Sequence, residues 1–129
     1  MRTAIVAIAV ATAIVVTSSA ASAGPPSKTL ERAIMLYDKK DFLSASIELG
    51  KVIDGETSDD APNRARAEFF QAKTLVNLEF RTAAVALFDR IQVDPQHLYY
   101  TASLKWILSL APNSHAHSLG RVRRRYALR

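Results

Sequence analysis

The sequence predicts an all-α fold: two stacked helical hairpins and a third helix after them, with an apolar leader in front and a basic tail behind. Three observations lead there. Apolar residues recur at helical spacing in successive windows from Leu30 to Ala111. The pattern is written twice, so that Phe42, Ala45, Leu49 and Ile53 are matched by Phe80, Ala83, Leu87 and Ile91, about 38 residues further on. Cysteine is absent, so no disulfide framework substitutes for a core and the fold must rest on apolar packing. One hairpin cannot bury its own stripe, and two in tandem therefore imply stacking.

The leader, residues 1–23, has one early cation at Arg2, an apolar run from Ala4 to Val16, and a small-residue Ala21-Ser22-Ala23 site. That is the pattern of a secretory signal peptide with cleavage after Ala23. The run is short for a membrane span of about 20 residues, although a retained N-terminal anchor is the competing reading. Cleavage would leave Gly24-Pro25-Pro26 as a flexible start to the mature chain. Export in a bacterial style of leader implies a periplasmic or secreted protein.

The helical domain is placed at 24–111. Its first helix has a candidate N-cap at Ser27 or Thr29, Glu31 in the first turn, and a stripe of Leu30, Ala33, Ile34 and Tyr37, widened by Met35 and Leu36. Lys39-Lys40-Asp41 is the turn, and Phe42–Ile53 resumes the helical spacing. The next segment, Asp54 to Asn63, carries Asp54, Glu56, Asp59 and Asp60, and reads as a surface loop. Its carboxylates lack the ordered spacing of a calcium loop, so helix capping by Asp60 or Asn63 is the expectation, with Pro62 near the helix start. Ala65–Leu78 is the third helical segment, Glu79 the turn, and Phe80–Ile91 the fourth.

These residue sizes resemble the tetratricopeptide repeat. Its pattern asks for a small residue midway through each first helix (Ala33, Ala72), an aromatic opening each second helix (Phe42, Phe80), a small residue three later (Ala45, Ala83) and bulk beyond (Leu49, Leu87, Ile53, Ile91). The family period is about 34 residues, and the excess here is assigned to the Asp54–Asn63 loop. The resemblance implies that the first helices line a hollow. Ile34, Tyr37 and Asp38 from one copy, with Arg66, Phe69, Lys73, Val76 and Asn77 from the other, would then form a peptide-binding groove. Arg66 and Lys73 lie two turns apart and could meet an acidic peptide or a C-terminal carboxylate.

From Asp94-Pro95 a last helix begins in which Tyr99, Tyr100, Ala102, Leu104, Trp106, Ile107, Leu108 and Leu110 set apolar side chains nearly all the way round. Three explanations stand: it caps the stack with one face exposed, a second copy covers it at Trp106 as a homodimer, or its continuation has been lost. Composition changes abruptly over 112–129, as in a truncated or frame-shifted reading frame, and that segment reads as a disordered basic tail.

The net charge of +5 is concentrated in that tail, where Arg121, Arg123, Arg124, Arg125 and Arg129 lie. The remaining body is close to neutral, so nucleic-acid binding by the folded part is not indicated, whereas the tail could meet anionic lipid or envelope polymer. No glycine-rich phosphate loop, nucleophile elbow or helical metal-ligand histidine pair is present, so neither catalysis nor a cofactor is expected. The expected role is a non-enzymatic, exported scaffold that binds a protein or peptide of the cell envelope, with peripheral attachment through the tail as the alternative.

Overall fold

The computed structural model describes residues 22–110, and over that span the protein consists of five α-helices and the turns between them. The leader up to Ala21 and the basic tail lie outside the described residues, as does Ala111. The helices are α1 Lys28–Asp38, α2 Phe42–Ile53, α3 Ala61–Asn77, α4 Arg81–Ile91 and α5 Tyr100–Leu110. Each packs on the next in sequence, and α1 also touches α3. Three-residue turns join α1 to α2 and α3 to α4 as antiparallel hairpins, and longer connections, 54–60 and 92–99, lead into α3 and α5.

The turns explain why the hairpins repeat. After α1, Lys40 adopts φ 64°. Its N–H donates to the Tyr37 carbonyl, and the Asp41 N–H donates to that of Leu36. After α3, Glu79 adopts φ 66°, with the corresponding bonds to Val76 and, from Phe80, to Leu75. These are Schellman closures, in which a left-handed residue turns the chain and two orphan carbonyls find donors. Asp41 and Phe80 then serve at once as the N-caps of α2 and α4, with nearly the same backbone angles. Only Asp41 can cap with its side chain, accepting from the Ser44 N–H at 3.2 Å.

Lys40 and Glu79 are 39 residues apart, and so is every buried pair: Leu30 and Phe69, Ala33 and Ala72, Ala45 and Ala84, Leu49 and Phe88, Val52 and Ile91. The repeat therefore runs at 39 residues, which corrects the sequence-based register of 38 in the second helices. One residue is about 100° of rotation on an α-helix. Ala83 accordingly faces solvent and Phe80 is 59% exposed, while Ala84 and Phe88 are fully buried. The chemical likeness of Phe42 to Phe80 had concealed the slip. The residues beyond a period of about 34 are not all loop either, because α3 begins at Ala61, well over a turn before the position equivalent to the start of α1.

The core follows the same logic twice. Leu30 and Ala33 from α1 and Leu49 and Val52 from α2 close against Ala67 of α3. Phe69 and Ala72 from α3 and Ala84, Phe88 and Ile91 from α4 close against Leu104 and Ile107 of α5. Each hairpin is sealed by the helix that follows it, and Phe70 packs against both clusters. The stacking inferred from sequence is thus present, carried by a shared interior rather than by Phe80.

The α5 helix is less uniformly apolar in space than in sequence. Ser103, Leu104 and Ile107 are buried, and Trp106 stacks on Phe88 at 5.8 Å between ring centroids. Its outer side carries Thr101, Lys105, Leu108 and Ser109. Buried Gln92 anchors its start by donating from Nε2 to the Tyr100 carbonyl at 2.5 Å and to Ser103 Oγ at 2.6 Å.

The chain ahead of α1 is tied down, contrary to the flexible start expected from Gly24-Pro25-Pro26. The Gly24 N–H donates to Asp60 Oδ2 at 2.6 Å and its carbonyl accepts from buried Asn63 Nδ2 at 3.0 Å. Ser27, the N-cap of α1, donates to Asp59 from both its N–H and its hydroxyl, and Thr57 adds a third bond to the same carboxylate. Burial pushes the Asp59 carboxyl up, but those three hydrogen bonds outweigh it and hold the group below its ordinary pKa. Asp60 caps α3 through the Asn63 N–H, as expected, and its bonds from Gly24 and Asn63 hold it low as well.

Candidate functional site

The stack sets α1 beside α3, and apolar, aromatic and charged side chains converge on their neighbouring faces. Tyr37, in the last turn of α1, is the joint. Its ring meets Phe42 edge-on at 5.4 Å and Phe70 at 5.2 Å. Its hydroxyl accepts from Asn77 Nδ2 at 3.4 Å. The helical spacing of Arg66, Phe70 and Lys73 puts both cations on the Phe70 face. Arg66 Cζ lies 5.8 Å from the ring centroid, and Lys73 Nζ lies 4.6 Å from Phe70 and 4.8 Å from Tyr37. Lys73 Nζ also lies 5.7 Å from the Phe69 ring centroid; an ammonium so placed gains about 0.5–1 kcal/mol from each ring at an exposed site, and is correspondingly less available to a ligand.

Beside this cluster an open cleft of about 480 Å³ is lined by Pro26, Leu30, Glu31, Ile34, Met35, Asp38, Lys39 and Arg66. Its floor is aliphatic, and Met35 is 48% exposed. Glu31 and Asp38 set carboxylates around it, and Lys39 and Arg66 set cations. Such a cleft can take an apolar side chain while a cation at the rim meets a carboxylate.

The residues expected in the groove fall into three places. Ile34, Asp38 and Arg66 line the cleft. Tyr37, Lys73 and Asn77 form the aromatic and polar cluster next to it. Phe69 and Val76 belong to the second core cluster, Phe69 being 8% exposed and stacked on Tyr99 at 4.6 Å. Phe69 is thus mostly inside the core, with Lys73 Nζ 5.7 Å from its ring centroid. Sequence reasoning missed Phe70, although its spacing to Arg66 and Lys73 marks it as the ring between two cations. It also missed Pro26, which reaches the cleft only because the segment ahead of α1 is docked on α3.

Elsewhere, His97 Nε2 lies 3.3 Å from Glu68 Oε2 between the α4–α5 connection and α3. Among the described residues no group of three or more His, Asp or Glu side chains is placed to hold a metal ion, and no helix is long and apolar enough to cross a membrane. Compared with protein-family models, with curated proteins and with solved structures, the chain matches none.

Proposed function

We propose that the protein is an exported, non-enzymatic helical-repeat scaffold, tetratricopeptide-like in the sizes and places of its packed residues, that binds a peptide segment of another envelope protein on the α1–α3 face. The observation that carries this reading is the cleft beside Tyr37: aliphatic within, charged at the rim, and built on α1 with Arg66 reaching it from α3. A peptide presenting an aliphatic side chain beside a carboxylate suits it, the side chain against Ile34 and Met35 and the carboxylate at Arg66. The leader pattern of residues 1–23 supports export to a periplasmic or extracellular location.

Selection from a displayed peptide library tests the reading. Enriched peptides are expected to carry aliphatic–acidic pairs, and to lose binding at least tenfold to the double variant Met35→Glu, Arg66→Ala while its melting temperature stays unchanged. Peptides whose affinity is indifferent to that variant would reject the face. The arginine tail offers attachment to anionic envelope surfaces as a second reading, supported by its charge alone. Flotation with anionic vesicles separates the two, since removal of residues 121–129 should abolish it without affecting peptide binding.

A further inference from the structure

We infer that the docking of Gly24 on α3 is a receptor for the mature N-terminus: leader removal at Ala23–Gly24 creates an α-ammonium that pairs with Asp60 and locks the first hairpin onto the second. The inference rests on the export reading and extends it to what processing does to the fold.

Two independent observations coincide at Gly24. The small-residue site Ala21-Ser22-Ala23 marks the bond that follows Ala23. The structure places the nitrogen on the far side of that bond 2.6 Å from a carboxylate oxygen, 36 residues away in sequence. Hydrolysis by the signal peptidase of an exporting cell adds water across the bond. Ala23 leaves with the new carboxylate, and the Gly24 nitrogen takes up protons to become an ammonium. A single neutral N–H donor to Asp60 is thereby replaced by a charged group with three donors, which makes the stronger, charge-assisted bond.

The surroundings suit a chain end. A side chain at Gly24 would set its Cβ 3.0 Å from Asp60 Oδ2 and crowd the carboxylate. The Gly24 carbonyl is held by Asn63 Nδ2, and Asn63 is 3% exposed, so the terminus is gripped on both sides. Pro25 and Pro26 stiffen the link to Ser27, whose own bonds to Asp59 fix the start of α1. Asp59 is the other carboxylate at this place, and it is occupied by Ser27 and Thr57, which leaves Asp60 to face the terminus. Processing therefore adds a cation where the fold already holds an anion, and the mature chain is more firmly closed than its precursor.

The full chain is expressed in an exporting bacterial host, fractionated, and its exported form examined by intact mass. Gly24 as first residue is expected. The α-amine pKa is then measured by NMR after reductive ¹³C-methylation. It should lie about half a unit or more above the ordinary range of about 7.7–8.0, and return to that range in Asp60→Asn, which keeps the α3 cap because asparagine caps as well as aspartate. A mature chain beginning at Gly24 with the same ordinary pKa in both proteins overturns the inference and leaves export standing. An exported chain beginning elsewhere overturns it at the processing step. A chain retained in the cytoplasm overturns the export reading itself, and this inference with it.

Discussion

Replacing Phe80 with aspartate separates the two possible registers of the repeat by the size of the change in stability. Phe80 is 59% exposed, so the substitution forfeits about two-fifths of the roughly 1.5–3 kcal/mol that a fully buried phenylalanine contributes, or about 0.6–1.2 kcal/mol. It places a carboxylate at an N-cap that has no side-chain bond at present, on a backbone like that of Asp41. By analogy with the Asp41 bond to Ser44, the new side chain accepts from the Ala83 N–H and contributes about 1 kcal/mol. The two nearly cancel, so the expected outcome lies between a loss of about 0.2 and a gain of about 0.4 kcal/mol. Had Phe80 been the packed aromatic of the repeat, truncating it would cost about 3–5 kcal/mol. Urea unfolding followed by far-UV circular dichroism measures the difference, with Phe88→Ala as the internal comparison, expected to lose about 3–5 kcal/mol because Phe88 is fully buried. A loss above about 2 kcal/mol for Phe80→Asp, which exceeds any burial term the exposed ring can supply, would refute the 39-residue register.

The remaining expectations use the same unfolding assay. Ala84→Leu overpacks the second core cluster and costs about 1–3 kcal/mol, whereas Ala83→Leu, one residue earlier on the solvent side, stays within about 0.5 kcal/mol of the parent. Gln92→Leu removes both donors that hold the start of α5 and leaves the Tyr100 carbonyl without one of its bonds. It should cost about 1–3 kcal/mol and release Trp106 fluorescence to the red as α5 loosens. Asp59, held low in the folded state, contributes stability that is present above its unfolded pKa of about 4 and lost as pH falls through its lower folded value. Acid titration should therefore show a decline below about pH 4 that is shallower in Asp59→Asn, which starts from a lower plateau at neutral pH.

Helix identity was legible because each segment repeats its apolar residues at the helical interval, and hairpin order followed from turns too short for anything but antiparallel neighbours. Register was not legible from residue type. Phe42 and Phe80 are the same amino acid in different roles, the first partly buried beside Tyr37, the second exposed at a cap. The backbone decided otherwise, since Lys40 and Glu79 are the two left-handed residues that end the first helices, and nothing in the chemistry of lysine or glutamate announces that conformation as a glycine would. One matched pair, Ala33 and Ala72, did hold the 39-residue spacing all along. The four second-helix pairs align by residue type at 38 instead, one residue and so about 100° away from the pairs that are buried together.

The candidate site divides along the same line. Positions on one helix, such as Ile34, Tyr37 and Asp38, follow from periodicity alone, and they fall on the α1–α3 face as their spacing requires. Phe69 and Phe70 are adjacent and differ by about 100° around the helix: Phe69 packs chiefly on Phe88 and Tyr99, with Lys73 at 5.7 Å, while Phe70 meets Tyr37, Arg66 and Lys73. Helices α4 and α5, with Tyr99 between them, together form the wall that buries Phe69. The candidate face thus leans on a core to which α5 contributes without adding a residue to that face. Loosening α5 through Gln92→Leu should therefore weaken peptide binding at the cleft even though Gln92 lies outside it. Unchanged binding in a variant with a demonstrably mobile Trp106 would show that the first three helices hold the face unaided.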